Sequence, residues 1–230
     1  MAPSALIGLV FLAYVFSQSD PQASSGVSGR AIILSLLLFA TVVIHEFGHA
    51  GVALAMRLAP VSIRIHALGG ATSYSRRRPS PGSEAAIAAA GPAATLWLGL
   101  VAAAAMHLTT GSTHDLMDSW LRICIVLTIF NLLPGLPLDG GALVKSLVWA
   151  VIGDERKATR AAAALGMALT VVVVGLAVRV GLNSGNRSAV LFTALIAISI
   201  GASAFRIWQA FAPGGSRLRP SVLGDDESDV

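Results

Sequence analysis

Uncharged, strongly apolar stretches recur along the chain, at Ala2–Ser19, Ala31–Ile44, Ala85–Met106, Ile123–Leu138, Ala161–Val178 and Ser188–Phe205. An α-helix rises 1.5 Å per residue, so about 20 apolar residues cross the hydrocarbon core of a bilayer. The shorter stretches reach that length by extending into apolar flanks. The pattern predicts an all-α polytopic membrane protein with about six transmembrane helices, near 3–19, 31–55, 84–107, 119–137, 160–180 and 188–210. No Lys or Arg precedes the first stretch and more spans follow it, which favours a retained helix over a cleaved signal. Between the second and third helices, Val61-Ser62-Ile63-Arg64-Ile65-His66-Ala67 alternates, and Gly69-Gly70 leads into Ala71-Thr72-Ser73-Tyr74; this predicts a small β-hairpin or sheet. From Ala212 the chain becomes rich in Pro, Gly, Ser and acidic residues, predicting a disordered tail over 212–230 after one membrane domain, 1–211.

Composition agrees: 55% of the 230 residues are hydrophobic and only 12% charged, too few for a water-exposed surface. The 16 Lys and Arg exceed the 12 Asp and Glu, but they are scattered between apolar runs and form no continuous basic face, which excludes nucleic acid as a partner. Their distribution gives orientation. Arg57, Arg64, Arg76, Arg77, Arg78, Arg156, Lys157, Arg160, Arg217 and Arg219 fall on one side, against Arg30 and Arg187 on the other, where Asp20, Asp115 and Asp118 also lie. Cytoplasmic loops carry the positive excess, so both termini and the strand region are expected in the cytoplasm. Arg76-Arg77-Arg78 reads as a contact to anionic lipid. The single cysteine, Cys124, permits neither an intrachain disulfide nor a cysteine-rich metal site, so any metal falls to His, Asp or Glu.

Such residues occur inside the second span, at His45-Glu46-Phe47-Gly48-His49. The i, i+4 spacing stacks both imidazoles on one helical face, where they can bind one zinc ion, and sets Glu46 beside them to accept a proton from water. An ionisable group near the bilayer centre costs on the order of 3 kcal/mol and is seldom kept without a partner or a task. A polar cluster that merely glues helices together is the competing reading. A catalytic zinc uses three protein ligands, and two histidines leave it one short. Between Ala50 and Ser83 the only further candidate is His66, otherwise an ordinary interfacial histidine. A better one is Asp139, in Phe130-Asn131-Leu132-Leu133-Pro134-Gly135-Leu136-Pro137-Leu138-Asp139-Gly140-Gly141, where prolines and glycines break an apolar helix. Broken backbone in a membrane lines a cavity or is buried in protein, and a carboxylate there needs a compensating charge. Taken alone, Asp139 could instead N-cap the helix that runs through Lys145.

These two motifs resemble those of the site-2 protease family of intramembrane zinc metalloproteases. Gly69-Gly70 and Ala90-Gly91-Pro92 add supporting matches, so the resemblance covers a core of about 31–150. One departure is Thr95, where many relatives carry Asn. PDZ and CBS regulatory domains are not seen in the sequence, which looks like a minimal member. The resemblance implies one zinc ion per chain held by His45, His49 and Asp139, with Glu46 as general base and then as acid to the leaving amine. It also makes Asn131 a candidate for the substrate backbone or the developing oxyanion, beside the reading in which its amide satisfies backbone freed by Pro134. By the helix rise, the metal would lie roughly 10–15 Å below the cytoplasmic end of the helix near Ala55. A substrate helix must unwind to expose a carbonyl there, and the strands of 61–74 could receive it by edge pairing. The implied substrate is a single-pass protein of the plasma membrane, such as an anti-sigma factor, a pro-sigma factor or another membrane-held regulator. Two other classes remain: a channel or transporter using His and Asp as an ion path, and an inactive relative that only binds membrane partners.

Overall fold

The structure is a computed structural model describing residues 13–17, 28–58, 61–66, 69–74, 80–184 and 187–212. It is mostly helical and divides into two compact units, Met1–Leu133 and Pro134–Val230. Residues 13–17 are helical; the rest of the expected first span, and the expected disordered tail beyond Ala212, lie outside the described residues.

The first unit contains α1 (Gly29–Ala55), the strands β1 (Val61–His66) and β2 (Gly69–Tyr74), α2 (Pro81–Met106) and α3 (Gly111–Asn131). Serine hydroxyls cap α1 and α2: Ser28 Oγ accepts from the Ala31 N–H at 3.1 Å, and Ser80 Oγ from the Ser83 N–H at 3.2 Å, with Pro81 at the start of α2. These bonds satisfy amides that have no partner inside the helix, and a proline there gives up no helical bond. β1 and β2 pair antiparallel, with Val61 opposite Tyr74 and His66 opposite Gly69. The side chains of both strands, that of His66 included, and the Arg76–Arg78 run lie outside what the structure describes.

Helices in a membrane gain little from hydrophobicity against one another and associate where small residues let their backbones approach. Gly48 of α1 meets α2 in this way: a methyl at that position would lie 2.6 Å from the Ala90 carbonyl oxygen. Between α1 and α3 the ties are polar. Arg30 donates to the Asp115 carbonyl and to Ser119 Oγ, and the Trp120 indole N–H donates to Thr41 Oγ1 at 3.0 Å.

The second unit begins with a non-helical segment through Leu138, then α4 (Asp139–Ile152), α5 (Glu155–Ser184) and α6 (Arg187–Ala210). Gly153, at φ 68°, ends α4 in the left-handed conformation that glycine adopts without steric cost. Asp154 then accepts from the Lys157 N–H at 3.1 Å to start α5. The Leu136 N–H donates to the Ala162 carbonyl, and Leu136, Ala162 and Ala163 form a buried cluster lined by Ile207 and Trp208.

Among the described residues, four helices are long and apolar enough to cross a membrane: Gly29–Ala55, Pro81–Met106, Glu155–Arg179 and Thr193–Ala210. This is the pattern of an integral membrane protein. The fourth expected span, 119–137, is displaced. Its helix starts at Gly111, where Asp115, Asp118 and Arg122 interrupt the apolar run, and stops at Asn131 ahead of Pro134. The residue preceding a proline is pushed out of the helical region, and a ring further along would clash with the previous turn.

Candidate metal centre

Three of the expected residues share one turn of α1 and point inward: His45, Glu46 and His49 are 5%, 6% and 7% exposed. Phe47 in the same turn is 60% exposed. A 3.6-residue period produces this division, because positions 45 and 49 share a face while 47 lies nearly opposite.

Neighbouring α2 supplies the setting of the two rings through Ile87, Gly91 and Thr95, which recur every four residues and so form one stripe. The Ile87 carbonyl lies 2.7 Å from His49 Nδ1 and Thr95 Oγ1 lies 2.9 Å from His45 Nδ1. Gly91 sits between them: a methyl there would come within 2.7 Å of His45 Nε2 and closer still to the His49 ring. A carbonyl only accepts, so His49 carries its proton on Nδ1 and presents a lone pair at Nε2. The two Nε2 atoms converge to 3.1 Å. Imidazoles that ligate zinc are arranged in this manner, each bonded through the far nitrogen so that the near one faces the ion. The donor set therefore fits a zinc ion.

In the sequence, Gly91 stands out only as a motif match and Thr95 only as a departure. The signal available was their i, i+4 spacing with Ile87, but which helix that stripe faces is a matter of tertiary packing.

Asp139 belongs to the second unit. It is the first residue of α4, half-buried, with Leu138 in the capping position, so the competing reading of Asp139 as an N-cap does not hold. Asn131 Nδ2 donates to the Leu127 carbonyl at 3.0 Å within its own helix, and not to backbone freed by Pro134. His107 and His114 lie at the opposite end of α2 from Ile87, with His114 Nδ1 3.1 Å from the Met106 carbonyl. Cys124 is buried in α3, and a methyl at Gly99 of α2 would touch its Cβ at 3.3 Å, consistent with a packing role.

Residues 33–120 and 111–173 match peptidase family M50, together more than half of the chain. The chain belongs to that family. This family member is 38% identical over 165 residues to a candidate zinc metalloprotease of Synechocystis, sll0528, covering 70% of this chain and 44% of the relative. It is 36% identical over 150 residues to Rip3 of Mycobacterium tuberculosis, also named as a candidate zinc metalloprotease, covering 62% and 38%. The zinc metalloprotease MJ0392 of Methanocaldococcus jannaschii is 28% identical over 144 residues, covering 62% and 42%. The chain thus spans less than half the length of these curated relatives. Its fold resembles that of a site-2 protease from Methanocaldococcus jannaschii, with a TM-score of 0.62 over 89% of this chain and 88% of the other at 22% identity.

Proposed function

We propose that this chain is an intramembrane zinc endopeptidase of the site-2 type. The observation that carries the reading is the convergence of His45 and His49 Nε2 to 3.1 Å, with both Nδ1 atoms engaged on α2, inside an apolar helix. His45, His49 and Asp139 are the residues that would hold one zinc ion, the carboxylate completing a three-ligand set and contributing negative charge. When bound, zinc supplies a Lewis acid for the scissile carbonyl and makes water acidic enough to deprotonate near neutral pH. Glu46 takes the proton from water and returns it to the leaving amine. Asn131 gives its second amide hydrogen to the substrate backbone, the first being held by Leu127. The substrate is a single-pass membrane protein unwound near its cytoplasmic end, such as an anti-sigma factor, a pro-sigma factor or a membrane-held regulator. The enzyme resides in the plasma membrane with both termini in the cytoplasm, as the Lys and Arg distribution supports.

Zinc per chain in the detergent-purified protein tests this reading. About one zinc in the wild type, lost in His45→Ala and Asp139→Ala and kept in Glu46→Gln, is the expected result. A wild type that takes up no zinc from metal-replete buffer overturns it.

A further inference from the structure

Thr95 is completely buried in the middle of α2, and its hydroxyl touches two groups. Oγ1 lies 3.2 Å from the Gly91 carbonyl, one turn back in its own helix, and 2.9 Å from His45 Nδ1. A hydroxyl has one hydrogen to give. The Gly91 carbonyl can only accept, so the hydrogen goes there and the oxygen's lone pair takes the His45 Nδ1–H. His45 is then the same tautomer as His49, with the lone pair of each at Nε2, on the side where the rings converge to 3.1 Å. Two lone-pair nitrogens at that separation make the approach that a shared cation stabilises.

We infer that Thr95 is a positioning residue of the metal centre, orienting the His45 ring and fixing its tautomer so that Nε2 is ready for zinc. The inference rests on the reading of the histidine pair as a zinc site and assigns a specific task to a residue of another helix, 50 positions away. The pair is set asymmetrically. His49 leans on a backbone carbonyl, which no side-chain substitution removes, whereas His45 leans on a hydroxyl, which one substitution does. Outer partners of this kind contribute about 10- to 100-fold to metal affinity.

The test compares the full-length wild type with Thr95→Val, which keeps the shape and removes the hydroxyl, and Thr95→Ser, which keeps the hydroxyl. Zinc affinity is measured by chelator competition in detergent, and cobalt(II) spectra report the ligand geometry. Thr95→Val should bind zinc about 10- to 100-fold more weakly with altered cobalt bands, while Thr95→Ser stays within about threefold of wild type with unaltered bands. Valine binding as tightly as wild type overturns the inference and leaves the zinc site standing. Equal losses in valine and serine also overturn it, because the methyl group and not the hydroxyl would then be responsible. A wild type that binds no zinc overturns the underlying reading and the inference with it. Should the valine variant not fold, nitrogen NMR of the metal-free wild type decides: the His45 proton belongs on Nδ1 before any metal is added, and a proton on Nε2 or an even mixture of the two tautomers overturns the assignment.

Discussion

Gly91 in the first unit faces two imidazole rings, whereas Gly135, Gly141 and Gly166 in the second face only backbone. A methyl at Gly135 would lie 2.5 Å from Gly166 Cα, and one at Gly166 would run into the Leu136 carbonyl oxygen. Rings can swing aside and carbonyls fixed by their own chain cannot. In one unit the missing side chain makes room for chemistry, and in the other it lets two stretches of backbone touch. Identical glycine-to-alanine substitutions should therefore fail in different ways.

The largest expected effect is on the reaction. Glu46→Gln should reduce cleavage of a single-pass membrane substrate by about 100- to 10,000-fold while zinc stays at wild-type stoichiometry. Loss of zinc in this variant would place Glu46 among the ligands. Next comes Gly91→Ala, which should weaken zinc binding roughly 100-fold by displacing the rings, with little change in the melting temperature of the zinc-free protein. Gly166→Ala should do the converse, lowering stability by about 1–3 kcal/mol in a detergent melt. If both alanine variants lost zinc and stability together, the contrast between the units would collapse.

Two smaller effects sharpen it. Trp120→Phe removes the indole bond to Thr41 and should lower stability by about 1 kcal/mol, with zinc affinity unchanged. Asp154→Ala should lower the melting temperature slightly at neutral pH. Its carboxylate is held below the ordinary range, chiefly by the Lys157 N–H. A lowered folded pKa contributes stability that is complete above the unfolded value and lost as pH falls through the folded one. The difference from wild type should therefore close in strong acid.

Much of this was legible in the sequence because it is periodic or local. His45 and His49 are four residues apart, and that spacing alone sets them on one face. The spans expected at 31–55 and 84–107 begin a few residues earlier, at Gly29 and Pro81, because their caps are serines that hydropathy does not register. α3 was harder to read: Asp115, Asp118 and Arg122 disguise its first turns, although Asp118 and Arg122 pair on one exposed face at 2.9 Å. The ties of His45 to Thr95 and of Leu136 to Ala162 were not legible. Both join residues more than twenty positions apart, and no pattern in one chain records which faces of two helices meet.

The turn from His45 to His49 has every direction committed except one. Positions 45, 46 and 49 are closed by burial, and position 48 admits no side chain beside the Ala90 carbonyl. Phe47 alone projects outward. Saturation mutagenesis across these five codons should return a profile that is intolerant everywhere but at 47, where any large apolar residue suffices. Most of the information carried by the segment is thus fixed by its surroundings, and change is free to enter through a single position.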